Sequence, residues 1–390
     1  MQKQRKKLLF IMPSQSLPVD ARDGGAVEQL MNDLINENEK LQNYDMVFIS
    51  PSDVNKRYKN TAVVQVVNNR FCTFFIKAIN KVFKLLKIKF KISSNYYKKA
   101  LKISKCINPD KIIIEAFCES NIAKFTEYFG RNKMLIHLHN VEKNKYDLSK
   151  YFSRAIVVSN YVKNDWENQF VFRDSFNISI LKNCISSTNF MNKTSREQQI
   201  SDRKKLFISS NDFVILYCGR IHQEKGLDKL INSIKLLNDK KVKLLVVGQS
   251  FFNNSKPTKY TKFIREISKP IADQVIFTGY IHNDEVYRYY SLSDLQVIPS
   301  VCEEAAGIVA MEGNAIGINQ IITNSGGLSE YCGNYYVVHK ENSEVMISEL
   351  SKAIHELLNG GNIHFVHGDN CIQDTKNYYE NFSKIIDNQL

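Results

Sequence analysis

Short apolar runs alternate with longer amphipathic stretches along the chain of 390 residues. In the first half, the runs at residues 8–11, 112–115 and 134–139 have the length and composition of strands buried on both faces. From Ala26 onwards, apolar residues recur at helical spacing. Further strands are expected at residues 46–50, 62–67, 155–159 and 178–181. Strands that alternate with helices in this way predict a parallel sheet covered on both faces.

A second alternating series follows a polar stretch without periodicity, residues 189–211, which we interpret as a linker. Strands are expected at residues 214–218, 243–247, 275–278, 295–299 and 320–323, and helices at 226–237, 260–269, 284–291, 305–316 and 345–358. The two domains would be residues 1–188 and 212–370, with a last helix in residues 371–390 packing back on the first. The predicted fold class is α/β, with two doubly wound domains facing each other across a cleft that binds ligands.

Composition and cysteine usage favour a folded protein of the cytoplasm. Apolar residues make up 43% of the chain, and there are only 7 prolines and 16 glycines. No run approaches the roughly 20 uncharged apolar residues of a membrane span, and the run at residues 8–13 is too short for a signal peptide. The eight cysteines are scattered, without a Cys-x-x-Cys pair or zinc-ligand spacing, so we expect most of them to be small core residues.

The net charge of +13 comes from one segment. Between Val54 and Pro109 there are fourteen lysines and arginines and no acidic residue, whereas the rest of the chain is close to neutral. From Arg70 to Lys105 these charges are interleaved with apolar residues, a pattern typical of basic amphipathic helices that attach to an anionic membrane surface. A solvated helix face is the alternative. Nucleic-acid binding is not expected, because no known binding motif is present.

The first segment with candidate chemistry joins a predicted strand to a predicted helix, from Gly219 to Gly226. Arg220 and Lys225 lie in this loop. Two cations, together with free backbone N–H groups at a helix start, make a site suited to a diphosphate. The same two residues could equally be ordinary surface residues of a strand–helix loop, and this segment alone does not decide between the two.

The second segment carries two acidic residues eight positions apart, Glu304 and Glu312. Glu304 should lie in the loop after a strand and Glu312 in the helix that follows, where both could accept hydrogen bonds from sugar hydroxyls. The backbone N–H groups that could hold a phosphate at this helix start are those of Ala306, Gly307, Ile308 and Val309. The alternative is a helix with an acidic first turn, which is common because Glu favours helix N-termini.

These segments, in this order and spacing, resemble glycosyltransferase family 4, a group of enzymes with the GT-B fold of two Rossmann-like domains. The family's Glu-x7-Glu motif is matched by Glu304 and Glu312. The other matching positions are Gly219, Arg220, Lys225, Gly226, Gly326 and Gly327 in the second half, and Gly24, Gly25, His139 and Asn183 in the first half. Gly313 departs from the pattern, because it interrupts a stretch that is a better helix in the family, at a cost of ~1 kcal/mol relative to Ala.

The resemblance implies a retaining glycosyltransferase that moves a hexose or similar sugar from a nucleotide diphosphate, with a UDP-sugar favoured. The acceptor would be a glycan or a lipid-linked saccharide in cell-surface polysaccharide synthesis. By analogy, Arg220 and Lys225 would neutralise the diphosphate. Glu304 would contact the donor sugar, and Glu312 would hold the ribose hydroxyls.

The resemblance also implies contributions from other loops. Gly24 and Gly25 would approach the phosphate or the acceptor, and His139 would lie beside the donor sugar. Tyr280, in a loop after a strand, is at the position expected to contact the base.

No metal or organic cofactor is expected, because the chain has no Asp-x-Asp motif and the cations of the phosphate loop would do the work of a metal ion. The nucleotide sugar would be a co-substrate. Two alternatives stay open: a GT-B sugar-nucleotide epimerase or phosphorylase, and a non-catalytic GT-B protein of a surface or coat. We expect the protein to act in the cytoplasm, with peripheral attachment to the inner face of the plasma membrane as a hypothesis.

Overall fold

The computed structural model describes residues 5–20, 25–54, 57–66, 95–115, 119–143, 145–173, 175–185, 190, 194–249, 257–361, 363–368 and 372–389. The chain divides into two compact units. The first comprises Met1–Val158, Lys163–Lys182 and Lys376–Leu390, and the second comprises Ser159–Val162 and Asn183–Thr375. The end of the chain therefore belongs to the first unit.

The first unit contains a seven-stranded sheet whose neighbouring strands are all parallel. Its strands are β1 (Lys6–Ile11), β2 (Tyr44–Ser50), β3 (Thr61–Gln65), β4 (Lys111–Ile114), β5 (Met134–Leu138), β6 (Arg154–Val157) and β7 (Asn177–Ile180). The spatial order β3-β2-β1-β4-β5-β6-β7 is doubly wound, with the chain reversing direction across the sheet after β3. The run predicted at residues 8–11 is fully buried in β1, an interior strand of this sheet.

The second unit contains another seven-stranded sheet with the same type of winding, in the order β10-β9-β8-β11-β12-β13-β14. Its strands are β8 (Phe213–Cys218), β9 (Val242–Val247), β10 (Val275–Gly279), β11 (Leu295–Ile298), β12 (Gln320–Thr323), β13 (Asn334–Val338) and β14 (Val366–His367). Only the short edge strand β14 runs antiparallel to its neighbour. On β8, Ile215 and Tyr217 face one apolar cluster while Val214 and Leu216 face the other, so this sheet is buried on both faces.

Helices connect most of these strands. In chain order they are α1 (Ala26–Leu41), α2 (Asn95–Ile107), α3 (Glu119–Phe129), α4 (Asn160–Glu167), α5 (Arg196–Lys205), α6 (Leu227–Leu237), α7 (Lys259–Ser268), α8 (Val286–Ser291), α9 (Ile308–Ile316), α10 (Ser343–Leu358) and α11 (Thr375–Ile386). No helix within the described ranges has both the length and the apolar character needed to span a membrane.

Helix α11 is anchored in the first unit by buried aromatic residues and by hydrogen bonds. Tyr379 is buried and donates its hydroxyl proton to Asn38 Oδ1 over 2.8 Å. Arg154 Nη1 donates to the carbonyl oxygen of Ile385 over 3.3 Å. The sequence predicts that the last helix packs on this domain, and its contacts with α1 and β6 agree with that prediction.

Two parts of the second unit differ from the sequence expectations. The range 189–211 was interpreted as a linker, but it contains helix α5, which starts behind the capping residue Ser195. This helix has almost no apolar face; it is held instead by a bidentate ion pair between Asp202 and Arg288 of α8, with distances of 2.6 and 2.7 Å from Nη2. The helix expected from residue 305 begins at Ile308, because the chain is not yet helical at Gly307.

Most of the basic segment and one predicted glycine lie outside the described residues, namely residues 70–94 and Gly24. The described end of the basic segment is α2. Its apolar side, with Tyr96 and Ala100, is buried, whereas Lys98, Lys99, Lys102 and Lys105 are exposed.

Candidate active site

The loop between β8 and α6 carries the two predicted cations. At its end, Gly226 has a φ of 65°, and a Cβ there would lie 1.9 Å from the carbonyl oxygen of Pro299. Only glycine fits this position, so the loop presses against the segment that follows β11. Lys225, the preceding residue, is thereby held next to that segment. Gly219, at the start of the loop, has a φ of 142°, which also favours glycine.

An ion pair joins the loop after β8 to the loop after β11, its neighbour in the sheet. Lys225 Nζ donates to Glu304 Oε1 over 2.5 Å, and Ser300 Oγ donates to the same oxygen over 2.6 Å. Both side chains of the pair keep some exposure, 25% for Lys225 and 14% for Glu304. The structure therefore brings together two predicted site residues and leaves both accessible to a ligand.

Paired glycines in the loop after β12 hold the backbone at Glu304 in place. A Cβ on Gly326 would lie 2.3 Å from the Glu304 carbonyl oxygen, and one on Gly327 would lie 2.6 Å from that of Ala305. The Gly327 N–H donates to the Glu304 carbonyl over 2.7 Å. These contacts explain the glycine pair noted in the sequence, because side chains at either position would displace the Glu304 loop.

The N-terminus of α9 follows the loop that carries Glu304. Its first N–H groups have no acceptor within the helix, and the helix dipole makes this end positive. Ala306, Ile308 and Val309 are partly buried and Gly307 is buried, so the predicted backbone donors lie at a semi-enclosed helix start. A phosphate there would meet oriented N–H groups.

Glu312, one turn into α9, is held by a tyrosine that the sequence analysis did not identify. Tyr290 Oη donates to Glu312 Oε2 over 2.7 Å. Burial raises the pKa of Glu312 to about 7, although the hydrogen bond from Tyr290 opposes this rise. Carboxylates with strongly raised pKa values cluster at functional sites, which agrees with the predicted role of Glu312.

Hydrogen bonds from two buried glutamines of the sheet hold α9 in place and explain why a glycine, Gly313, lies inside this helix. Gln296 Nε2 donates to the Val309 carbonyl over 2.8 Å, and Gln320 Nε2 donates to the Ala310 carbonyl over 2.8 Å and to Gln296 Oε1 over 2.7 Å. A Cβ on Gly313 would lie 2.0 Å from Gln296 Oε1. The glycine thus makes room for two glutamines, which orient the helix that carries the predicted phosphate donors.

The end of β8 lies close to three of the predicted charged residues. Tyr217 Oη donates to the carbonyl oxygen of Arg220 over 2.8 Å, and the Arg220 side chain is exposed. Burial raises the pKa of Tyr217 well above its ordinary value, with the nearby Glu304 adding to the rise and Arg220 opposing it. Burial likewise raises the pKa of Cys218, and Glu312 adds to that rise. Charges of both signs therefore surround the carboxyl end of this strand.

Tyr280 follows β10, next to β9 at the edge of the same sheet. Gly279, with a φ of 76°, turns the chain there, and its carbonyl oxygen accepts from the Gly248 N–H over 2.9 Å. The Tyr280 ring contacts the ring of His282 edge-on, with centroids 5.3 Å apart. The structure places Tyr280 in a strand-end loop, as expected, and its role toward a base stays a prediction.

The first unit holds the remaining predicted residues. Gly25 is the N-cap of α1. His139 follows β5, and its Nε2 lies 2.6 Å from Glu115 Oε2, while His137 Nδ1 lies 3.1 Å from the same oxygen. Although burial opposes it, the two histidines lower the pKa of Glu115 to about 2. Burial and the neighbouring His137 lower the pKa of His139.

Sequence reasoning missed several residues that touch predicted site residues, among them Glu115, Tyr290, Gln296 and Ser300. Glu115 gave a usable signal, since a carboxylate ends an apolar strand at the edge where ligands bind. Tyr290 and Gln296 gave none, because their contacts join different elements of the fold. Ser300 lies only four residues before Glu304, but nothing in its residue type or position marks its hydroxyl as a partner.

Residues 198–378 match a family model described as glycosyl transferases group 1. The matched residues make up just under half of the chain, and this part of it is similar to the group 1 glycosyl transferases. The match confirms the resemblance to glycosyltransferases drawn from the sequence, while the retaining course and the roles of individual residues stay predictions.

A lipopolysaccharide 1,2-N-acetylglucosaminetransferase of Salmonella typhimurium is similar to this chain, with 27% identity over 229 residues. That alignment covers 57% of this chain and 58% of the relative. The next two curated relatives are covered over only 38% and 32% of their length. The matched part of the chain thus resembles proteins named as glycosyltransferases, and the likeness spans part of each protein.

Solved structures match nearly the whole chain. A glycosyltransferase from Rickettsia africae aligns with a TM-score of 0.69 and 19% identity, covering 99% of this chain and 94% of that one. Anabaena HepE, solved in complex with UDP and glucose, aligns with a TM-score of 0.65 and 15% identity, covering 98% and 100%. At these identities the likeness concerns the fold. The predicted fold class, GT-B with two Rossmann-like α/β domains, is confirmed.

Proposed function

We propose that this protein is a retaining glycosyltransferase that moves a sugar, with a hexose favoured, from a nucleotide diphosphate to a glycan or lipid-linked saccharide in cell-surface polysaccharide synthesis. The ion pair between Lys225 and Glu304, held at the end of β8 beside the start of α9, is the observation that carries this proposal. UDP is the favoured nucleotide. The UDP bound to the similarly folded HepE supports this preference.

The chemistry of donor cleavage fits these residues. As the glycosidic bond breaks, the leaving nucleoside diphosphate gains negative charge. Arg220, Lys225 and the free N–H groups of α9 are fixed positive groups that would stabilise this charge, and removing one such donor typically costs roughly 10²–10³ in rate. In this proposal the diphosphate needs no metal ion of its own.

The two acidic residues take different parts. Glu304 keeps Lys225 oriented before the donor binds, and its second carboxylate oxygen is the proposed acceptor for hydroxyls of the donor sugar. Glu312 is the proposed acceptor for the ribose hydroxyls, with Tyr290 fixing its orientation. From the first unit, His139 is proposed to contact the donor sugar, and Gly25 to approach the phosphate or the acceptor.

Nucleotide binding tests the proposal directly. We expect UDP or another nucleoside diphosphate to stabilise the protein in a thermal-shift panel and to bind in calorimetry. Lys225→Met should weaken binding about tenfold or more, whereas Lys240→Met, which changes an exposed lysine of the same unit, should leave it unchanged. Absence of binding for every nucleotide would refute the proposal and favour a non-catalytic coat protein.

Turnover tests the reaction class. With a nucleotide sugar and an oligosaccharide acceptor, we expect a glycoside whose anomeric configuration, read by proton NMR, equals that of the donor. Added Mg²⁺ or Mn²⁺ should not raise the rate. Inversion would contradict the retaining course, and nucleotide release that is independent of an acceptor would favour the epimerase or phosphorylase alternative.

We further propose that the protein works at the cytoplasmic face of the membrane, where a lipid-linked acceptor would lie. The exposed lysines of α2 supply positive charge, each worth about 1 kcal/mol near an anionic surface. Because the apolar side of α2 is buried, this helix contributes charge only, and attachment should be strongly salt-dependent. Sedimentation with anionic vesicles at low salt should capture the protein, and vesicles without anionic lipid should not.

A further inference from the structure

Three side chains able to bind a metal ion meet at the carboxyl ends of β4 and β5 in the first unit. Ile114 pairs with Ile136 in the parallel register, so Glu115 and His137, the next residue on each strand, lie side by side. His139 is two positions after His137, and residues two apart on an extended chain point to the same side. The sheet register therefore brings one carboxylate and two imidazoles together.

The distances among these groups are those of a shared site. Glu115 Oε2 lies 2.6 Å from His139 Nε2 and 3.1 Å from His137 Nδ1. One ligand atom from each residue lies within 4.8 Å of the others, and the two imidazole centroids are 4.0 Å apart. One cation could bridge all three groups with small side-chain adjustments, because zinc bonds to nitrogen and oxygen are about 2.0–2.2 Å long.

The cluster is buried and lacks partners for several of its polar atoms. Only 2% of His137 and 4% of Glu115 are exposed. In the described part of the chain, neither ring nitrogen of His137 has a hydrogen-bond partner, and neither has Glu115 Oε1. Leaving a buried polar group unpaired costs about 1–3 kcal/mol, so three such atoms in one cluster call for a ligand.

A closed hydrogen-bond network does not account for the arrangement. His139 makes a short contact with Glu115, but His137, although 3.1 Å from the same oxygen, does not meet the geometry of a hydrogen bond. The hydrogen bond between His139 and Glu115 therefore leaves the His137 ring without a hydrogen-bond partner among the residues that the structure describes.

We propose that Glu115, His137 and His139 bind a divalent first-row transition metal ion, for which zinc is the natural probe. Two imidazoles and one carboxylate form a donor set that suits zinc or ferrous iron better than magnesium or calcium, which prefer oxygen ligands. Three protein ligands also leave a coordination position open. This site lies in the first unit and does not depend on the proposed transferase activity.

A bound ion would define the chemistry of His139. With Nε2 on the metal, the ring proton must sit on Nδ1, which then becomes a hydrogen-bond donor. Without the ion, Nε2 would donate to Glu115 and Nδ1 would be an acceptor. The metal thus decides whether His139 offers a donor or an acceptor to whatever molecule it meets.

Metal analysis of the whole chain is the test. After incubation with zinc and gel filtration, elemental analysis should find about one zinc ion per chain, and His137→Ala should reduce this content at least about tenfold. His364→Ala, which removes an exposed histidine of the second unit, should retain the wild-type content. Less than about a tenth of a zinc ion per wild-type chain, or equal contents in wild type and a His137→Ala/His139→Ala double variant, would overturn the proposal.

A second experiment, cobalt absorption spectroscopy, uses only the wild-type protein, so its result does not depend on whether a variant folds. Cobalt bound to the wild-type protein should give the strong visible absorption of a four- or five-coordinate ion, and zinc should displace it stoichiometrically. A spectrum typical of the hexahydrated cobalt ion would contradict the proposal, and the unpaired atoms of Glu115 and His137 would then be hydrogen-bonded to water. Because both arms measure metal alone, their failure is separate from any failure of nucleotide binding.

Discussion

Glu312 offers the sharpest test of how the second unit is built, because its partly buried side chain has a raised pKa. Burial lifts this pKa from the ordinary value of 4.5 to about 7. The folded protein therefore holds the proton more tightly than the unfolded chain does. The resulting stabilisation is fully present below pH 4.5 and is lost as the pH rises through about 7.

The size of this effect follows from the shift in pKa. One pKa unit corresponds to about 1.4 kcal/mol, so the difference between 4.5 and about 7 amounts to roughly 3 kcal/mol. Since Glu312 is only partly buried, we expect about 2 kcal/mol between pH 5 and pH 8.5. Glu312→Gln has no proton to lose, and it should abolish this part of the pH dependence.

Urea unfolding followed by circular dichroism at pH 5, 6, 7 and 8.5 measures the effect in the transition of the second unit. The free energy of unfolding of wild type relative to Glu312→Gln should fall by about 2 kcal/mol over this range. Glu303→Gln is the matched control, because Glu303 is an exposed carboxylate of the adjoining loop paired with Lys340. Parallel pH curves for wild type and Glu312→Gln would refute the reasoning.

The same titration should appear in ligand binding. If ribose hydroxyls donate to the Glu312 carboxylate, only the ionised form binds well, and its fraction rises from about a tenth at pH 6 to about nine-tenths at pH 8. UDP affinity should then increase about tenfold over this range in wild type. An equal increase in Glu312→Gln would assign the pH dependence to another group.

Three further predictions concern packing and surface charge. Gly226→Ala should lower the free energy of unfolding by at least about 3 kcal/mol, because the backbone there is left-handed and the new Cβ would lie 1.9 Å from the Pro299 carbonyl oxygen. A melting temperature within about 2 °C of wild type would contradict this. Gly313→Ala should lower stability by about 1–2 kcal/mol despite the better helix propensity of Ala, since the Cβ displaces the Gln296 amide; a higher melting temperature would show that the glutamines move aside freely. Lys98→Glu/Lys102→Glu should weaken sedimentation with anionic vesicles, while Lys235→Glu, on a helix of the second unit, should not; equal capture of both would remove α2 from the proposed attachment surface.

Much of the architecture could be predicted because buried parallel strands have apolar runs that need no tertiary information. The strand expected at residues 320–323 coincides with β12, and the spacing of apolar residues located α6 to within one residue. Helix α5 could not be found in this way. Asp202 is its only buried residue, so the helix shows no periodic pattern of apolar residues. The helix is held instead by the ion pair between Asp202 and Arg288, which lies 86 positions further along the chain.

The candidate site could be predicted where residue type and position along a strand–loop–helix unit already imply chemistry, as for Lys225 and Glu304. It could not be predicted where a role depends on sheet register. Glu115 and His137 are 22 residues apart, and only the pairing of β4 with β5 makes them neighbours. Gly313 also depends on tertiary contacts that the sequence does not show. Helix propensity alone makes a glycine unfavourable at this position, whereas the Gln296 side chain occupies the space that a Cβ would need.

The assignment of α11 to the first unit has a consequence for biosynthesis. A ribosome makes this helix only after the whole second unit, so Asn38, Tyr44 and Arg154, which contact this last segment, stay uncovered while the second unit is being made. The strands of the second unit follow one another in the chain, so this unit can finish folding before the first unit is complete. Deleting α11 would expose Phe10, whose ring stacks against Phe382, and newly exposed apolar surface of this kind makes a partly folded chain prone to aggregation.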